Sequence, residues 1–240
     1  MNVSRTPQAR RSTNVRGERV KGSTSGAHYT DLVARAKANS AISPYCVPNE
    51  YICAEIGRFL RLPVAQGVVI TGPGDDPRFW YAVLDFSPNG EPLPPVVPED
   101  CWRSLPELCM GTVLFDIFIA NRDRSESNLF FDEESQPPQL RLFDHEAALL
   151  GETAGQAEGR LTGGLNDQLG IADHCLKPLI PTQDLMSSVW MSRIGSLPDY
   201  LLEETCQEAA EYGMTPEERD ALIVFLKKRR DGLSSLVSRY

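Results

Sequence analysis

The sequence predicts an α+β fold. Strand-like segments gather before residue 87, around a single amphipathic helix. Helical patterns with capping signals fill most of the chain beyond residue 98. Between them, Ser87–Pro98 carries five prolines and one glycine and reads as a linker. At 240 residues the chain is long enough for one domain of two parts with a sizeable core.

Composition narrows the function classes. The apolar fraction of 41% and charged fraction of 24% are those of an ordinary globular protein. The net charge of −9 argues against broad nucleic-acid binding. Residues 1–21 nevertheless carry six basic residues and one acidic, leaving −14 for the rest. Residues 1–20 hold almost no large apolar side chains and are expected to be a disordered, solvated tail that contacts nucleic acid indirectly if at all. No apolar run approaches the roughly 18 residues of a membrane span, and no secretory h-region follows the basic residues. Cys46, Cys53, Cys101, Cys109, Cys175 and Cys206 lack C-x-x-C spacing, so free buried thiols in a reducing cytoplasm are expected.

The elements follow in order. Lys21–Gly26, KGSTSG, is a small polar loop whose glycines would let backbone approach phosphate oxygens. His28–Lys37 alternates in its second half as a strand, with Arg35 and Lys37 on one side. Pro48–Leu60 reads as a helix with Ile52, Ile56, Phe59 and Leu60 at helical spacing and Asn49 as N-cap. Pro63–Thr71 is a strand, Gly72–Asp76 a turn, and Phe79–Phe86 the most β-prone segment. Ser104-Leu105-Pro106-Glu107 has the pattern of a capping box opening a helix to about Ile119. Leu129–Phe131 and Leu140–Phe143 form a strand pair. Residues 151–170 are Gly-rich and read as a mobile loop. Thr182–Met191 and Asp199–Tyr212 are helical candidates. Thr215-Pro216-Glu217-Glu218 is a second capping box, with Pro at the first helical position. The run Lys227–Arg230 reads as a charged outer helix face.

The chemistry centres on Asp116–Asn128. Asp123-x4-Asn128 has the Asp-to-Asn spacing of the protein-kinase catalytic loop, H-R-D-x-x-x-x-N. Such an Asp accepts the proton of an attacking hydroxyl, and such an Asn binds Mg²⁺. A further carboxylate reached after a short strand pair binds the metal as well, and Asp144 follows the second apolar run. Asp and Asn also abound in plain loops, because their side chains mimic turns. The combination of helix, D-x4-N, hairpin and Asp is the stricter signal. It makes Asp123 the candidate base, and Asn128 and Asp144 the candidate Mg²⁺ ligands, in phosphoryl transfer from ATP.

Asn121-Arg122-Asp123-Arg124 through Asn128, with Phe143-Asp144-His145, resembles the HipA-like kinases and, more distantly, the phosphatidylinositol kinases. Asn49-Glu50-Tyr51 and the closing helix with Phe225-Leu226 fit the same resemblance. It implies a two-lobed protein-kinase-like fold: a small lobe over 21–86, the linker 87–98 and a helical lobe over 99–240. It implies Asp123 and Arg124 in the catalytic loop. It places ATP against Ser23, Thr24, Ser25 and Gly26, Arg35 or Lys37, Glu50 paired with the nucleotide lysine, and a hinge at Val83, Leu84 and Asp85. In some relatives a serine of the phosphate loop is autophosphorylated. The implied partners are a protein Ser/Thr substrate and an antitoxin-like protein. Departures bear on activity: Ser125 replaces the histidine of D-R-H, the metal motif is Asp-His-Glu, and Arg35 competes with Lys37 for the lysine position. A catalytically dead fold used as a binding module and a lipid or small-molecule kinase are the alternatives.

Overall fold

The computed structural model describes residues 14–19, 28–31, 34–72, 75–84, 93–153, 156–163, 174–177 and 185–238. Asn14–Arg19 (β1) pairs antiparallel with His28–Asp31 (β2). Residues 14–19 form a strand where the sequence predicts a disordered tail. Their polar composition offers little apolar burial, but a backbone ladder with a neighbouring strand does not require it. The phosphate-loop candidates Ser23, Thr24, Ser25 and Gly26, and the hinge candidate Asp85, lie outside the described residues.

Ala34–Ala38 (β3), Gly67–Thr71 (β4) and Phe79–Leu84 (β5) form an antiparallel sheet in the order β3-β5-β4. Arg35 opposes Val83, and Lys37 opposes Tyr81. Helix α1, Cys46–Phe59, packs against all three strands. It begins earlier than the Pro48 start expected, and Tyr45, not Asn49, occupies the N-cap. Asn49 is fully buried inside the first turns. Its amide donates to the Glu146 and Gly151 carbonyls at 2.8 and 3.2 Å, and its Oδ1 accepts from Leu150 N–H at 3.3 Å. A cap-forming residue type is used here as a clamp on a distant segment.

The linker enters α2, Pro98–Ser104, whose first-turn proline needs no amide partner. Ser104 is therefore spent at the end of that helix. Leu105 becomes the N-cap of α3, Pro106–Phe118, with no side-chain cap, and the expected capping box does not form. α3 is buried along nearly its whole length and packs on Leu185–Gly195 (α5), Pro216–Asp231 (α7) and Leu233–Val237 (α8). At Gly111 the approach of α5 is so close that a Cβ would lie 2.5 Å from Trp190 Cε2. The Thr215 capping box is present, with Glu218 N–H donating to Thr215 Oγ1 at 3.1 Å and Thr215 N–H donating to Glu218 at 2.8 Å.

Two further readings change. Ala157–Gly163 is a helix (α4) inside the Gly-rich stretch expected to be a loop. Burial of Ala157 and Arg160 supplies the anchor that the weak pattern hides. Arg229, in the presumed charged face, is wholly buried, and its guanidinium donates to the Phe118 and Ile117 carbonyls at the end of α3. Asp199–Ala210 (α6) receives Arg230 and Lys227 through Asp199. All six cysteines are buried and free, and burial raises the Cys101 thiol to about 11. No helix among the described residues is long and apolar enough to cross a membrane.

Candidate active site

The site is built at the end of α3. The helix stops at Phe118, and Ala120 takes a left-handed conformation, φ 54°, that turns the chain out. Asn121 N–H donates back to Asp116 O at 2.9 Å. The loop that follows is held by a buried polar network around Asp116. Arg124 donates to both Asp116 oxygens, from Nε at 2.8 Å and Nη2 at 3.1 Å. Asn121 Nδ2 donates to Asp116 Oδ1 at 2.9 Å. His174 Nε2 lies 3.0 Å from Asp116 Oδ2, while its Nδ1 accepts from Leu176 N–H. With Nδ1 accepting, Nε2 is the ring nitrogen that faces the carboxylate. Burial would raise the Asp116 pKa, but the Arg124 charge and the hydrogen bonds from His174 and Arg124 overcome it and hold the carboxyl well below the usual range.

Arg124 also reaches across the hairpin. Its Nη1 donates to Asn128 O at 2.9 Å and to Phe143 O at 2.7 Å. These carbonyls flank the base of Leu129–Asp132 (β6) and Gln139–Leu142 (β7), where Leu129 opposes Leu142. One side chain thus fixes the residue before β6 and the residue before Asp144. The reading of Arg124 as a catalytic group changes accordingly. It is about 1% exposed with its donors committed to the protein, so it positions the loop and does not face the reacting space.

Asp123 is exposed, its backbone N–H held by Asn121 Oδ1 at 3.2 Å. Asn128, on a 3-10 turn, donates from Nδ2 to Asp123 O at 2.6 Å and to its carboxylate at 3.3 Å. That orientation leaves Asn128 Oδ1 as an acceptor. Asp144 has φ 62°, a left-handed conformation uncommon for a residue with a side chain. Its carboxylate accepts from Lys37 Nζ at 2.7 Å, and Glu146 lies 3.3 Å from the same ammonium. Burial tends to lower the Lys37 pKa, but Asp144, Glu146 and Glu50 drive it above the ordinary lysine value.

Of the two lysine-position candidates, Lys37 is the one whose cation reaches Asp144. Arg35 sits on the same strand beside Val83. Glu50 does not meet Lys37 at ion-pair distance. Asp144 and Glu146 take the ammonium, and Glu50 lies 3.3 Å from His145 Nδ1 instead. His145 is buried edge-on against Phe115. Val83 and Leu84 are the last two residues of β5.

The donors suit Mg²⁺. No group of three or more His, Cys, Asp or Glu side chains converges on a metal site among the described residues. Asp144 and Asn128 carry a carboxylate and an amide oxygen, donors of the hard-oxygen type that Mg²⁺ takes. The sequence reading gives no role to Asp116 or His174, takes Asn49 for a helix cap and names Asn121 only as part of the motif. The one signal for Asp116 is a charged residue in the otherwise apolar last turns of α3, Val113–Phe118.

No protein-family model matches the chain, and no curated protein matches it. Among solved structures the chain is similar to a Helicobacter pylori proinflammatory kinase, CtkA. The two are 13% identical, with a TM-score of 0.62 over 93% of this chain and 94% of that one. At that identity the likeness speaks to the fold alone: this chain has an α+β, two-lobed, kinase-like fold.

Proposed function

We propose that the protein is an ATP- and Mg²⁺-dependent kinase acting on the hydroxyl of a protein serine or threonine. The observation that carries the reading is the single guanidinium of Arg124. It joins Asp116, Asn128 O and Phe143 O, and so ties the loop of Asp123 and Asn128 to the residue before Asp144, whose carboxylate meets Lys37. The HipA-like residue pattern of the loop supports the choice of a protein hydroxyl.

In this mechanism Asp123 orients the acceptor hydroxyl and takes its proton. The new bond forms between that oxygen and the γ-phosphorus as the bond to the ADP oxygen breaks. Asn128 Oδ1 and Asp144 would hold Mg²⁺, which neutralises phosphate charge when bound. Lys37 would exchange its carboxylate partners for phosphate oxygens. Most of the catalytic effect is positioning and charge compensation, because phosphoryl transfer needs little covalent help.

The test is transfer from radiolabelled ATP with Mg²⁺, to the protein itself or to a protein acceptor. Asp144→Asn should abolish transfer with the far-ultraviolet spectrum unchanged. Asp123→Ala should slow the chemical step by at least roughly 10²-fold, with ATP affinity little altered. Full transfer by Asp144→Asn would remove that residue from the site. ATP binding without transfer by the unmodified protein would favour a binding module instead.

A further inference from the structure

The β3-β5-β4 sheet has two open edges among the described residues, and they differ. β3 carries Arg35 and Lys37, and charge on an edge strand discourages pairing with another chain. β4, Gly67–Thr71, reads GVVIT and has no charge and no proline. Val68 and Ile70 are 62% and 42% exposed on the face of the sheet opposite Lys37. An unguarded strand of this composition is a template for a further strand.

Its hydrogen-bonding groups can be placed. Gly72 N–H donates to Arg78 O at 2.9 Å. In the alternating antiparallel ladder, Ile70–Trp80 and Val68–Ala82 are then the bonded pairs as well. The amides and carbonyls of Val69 and Thr71, and the carbonyl of Gly67, therefore point away from β5. Gly67 N–H, which this parity also turns away from β5, donates to the Tyr81 hydroxyl at 3.0 Å. No strand among the described residues meets the outward groups of Val69 and Thr71.

We infer that β4 pairs antiparallel with β4 of a second copy of this chain, about a two-fold axis at Val69, and so joins two three-stranded sheets into one of six strands. The edge matches itself. With Val69 on the axis, Val69 faces its own counterpart and Gly67 faces Thr71, so outward groups meet outward groups. Val68 then stands against Ile70 of the second copy. That contact carries the apolar row Ala38, Trp80 and Ile70 across the axis into Val68, Ala82 and Ala36 of the second copy. Charge does not oppose this pairing, although the chain carries −9 overall. Gln66 precedes the strand, and in the turn after it Asp76 is paired with Arg78 at 2.7 Å. The two copies of Asp75 fall at opposite ends of the ladder, about 17 Å apart for five paired residues and beyond the screening length of about 8 Å. Specific interfaces bury roughly 1,200–2,000 Å², and one short edge supplies less, so the dimer is weak, with Kd on the order of 10–100 μM. The inference does not depend on the kinase reading.

The test is sedimentation velocity of the full chain from about 1 to about 500 μM. The unmodified protein should pass reversibly from monomer to dimer. Val68→Lys and Ile70→Glu, each checked for folding by circular dichroism, should each weaken the dimer at least roughly tenfold, because a charge then stands against an apolar side chain. An equimolar mixture of the two variants should dimerise again, since the introduced lysine of one faces the introduced glutamate of the other. Val224→Lys, at a half-exposed position on α7, should dimerise as the unmodified protein does. A monomer at every concentration would overturn the inference and leave the edge to a strand of another protein. A dimer unmoved by Val68→Lys and Ile70→Glu would overturn it in favour of another surface. Failure of the mixture to recover would overturn the register about Val69.

Discussion

Replacing Arg124 by alanine should come close to unfolding this protein. The side chain is about 1% exposed and makes four hydrogen bonds, two to Asp116 and one each to Asn128 O and Phe143 O. Its loss strands the Asp116 carboxylate, wholly buried, with only Asn121 and His174 to compensate it. Removing one partner of a buried ion pair typically costs about 3–5 kcal/mol. Whole domains are stable by about 5–15 kcal/mol, so much of the margin would go. Urea unfolding followed by circular dichroism should show a loss in that range with little change in m. The stranded charge gives a sharper test. Asp116→Ala in the Arg124→Ala background should cost less than the two single losses added, by about 1–3 kcal/mol. A loss under about 1 kcal/mol for Arg124→Ala, or strict additivity in the double variant, would refute the account of the network.

Three other outcomes are expected. Lys37→Ala should weaken ATP binding in titration calorimetry far more than Arg35→Ala, because Lys37 is the cation placed on Asp144; equal effects would reopen the assignment. Gly111→Ala should lower stability by about 1–3 kcal/mol through overpacking against Trp190, read as a drop in melting temperature. The Asp116 carboxyl, held below the ordinary range when folded, contributes stability that is present above its unfolded value of about 3.9 and is lost as pH falls. Stability of the unmodified protein should therefore decline from about pH 5 downward. In Asp116→Asn that decline should be shallower, and an identical slope in acid would show that Asp116 does not carry it.

The residues proposed to react stand out in the sequence because such chemistry demands fixed spacing. D-x4-N followed by two short apolar runs and Asp locates Asp123, Asn128 and Asp144, and strand parity puts Lys37 among the candidates. The supporting residues were not legible, for a physical reason. Asp116, His174, Asn49 and Arg160 act through contacts across 8 to 102 residues of sequence, and no local pattern encodes those. Local patterns also misled where two fitted one residue. Ser104 matches a capping box, but Pro98 starts an earlier helix that ends on it. The Lys227–Arg230 run has the composition of a solvated face, yet Arg229 is aimed inward at the end of α3. Periodicity gives the side of a helix only to within the width of a side chain, and a long guanidinium can turn back into the core.

The β6–β7 hairpin works as a caliper for the site. Its four paired residues on each side, from Leu129↔Leu142 to Asp132↔Gln139, set the offset between Asn128 and Phe143, and so between the loop and Asp144. The tip beyond Asp132 lies at the opposite end of that ladder. Residues added or removed at the tip would leave the jaw unchanged, whereas one residue added within either strand would shift the register and turn every side chain beyond it to the other face. The hairpin tip is thus a place where this chain can change length freely, a few residues from a position where it cannot change at all.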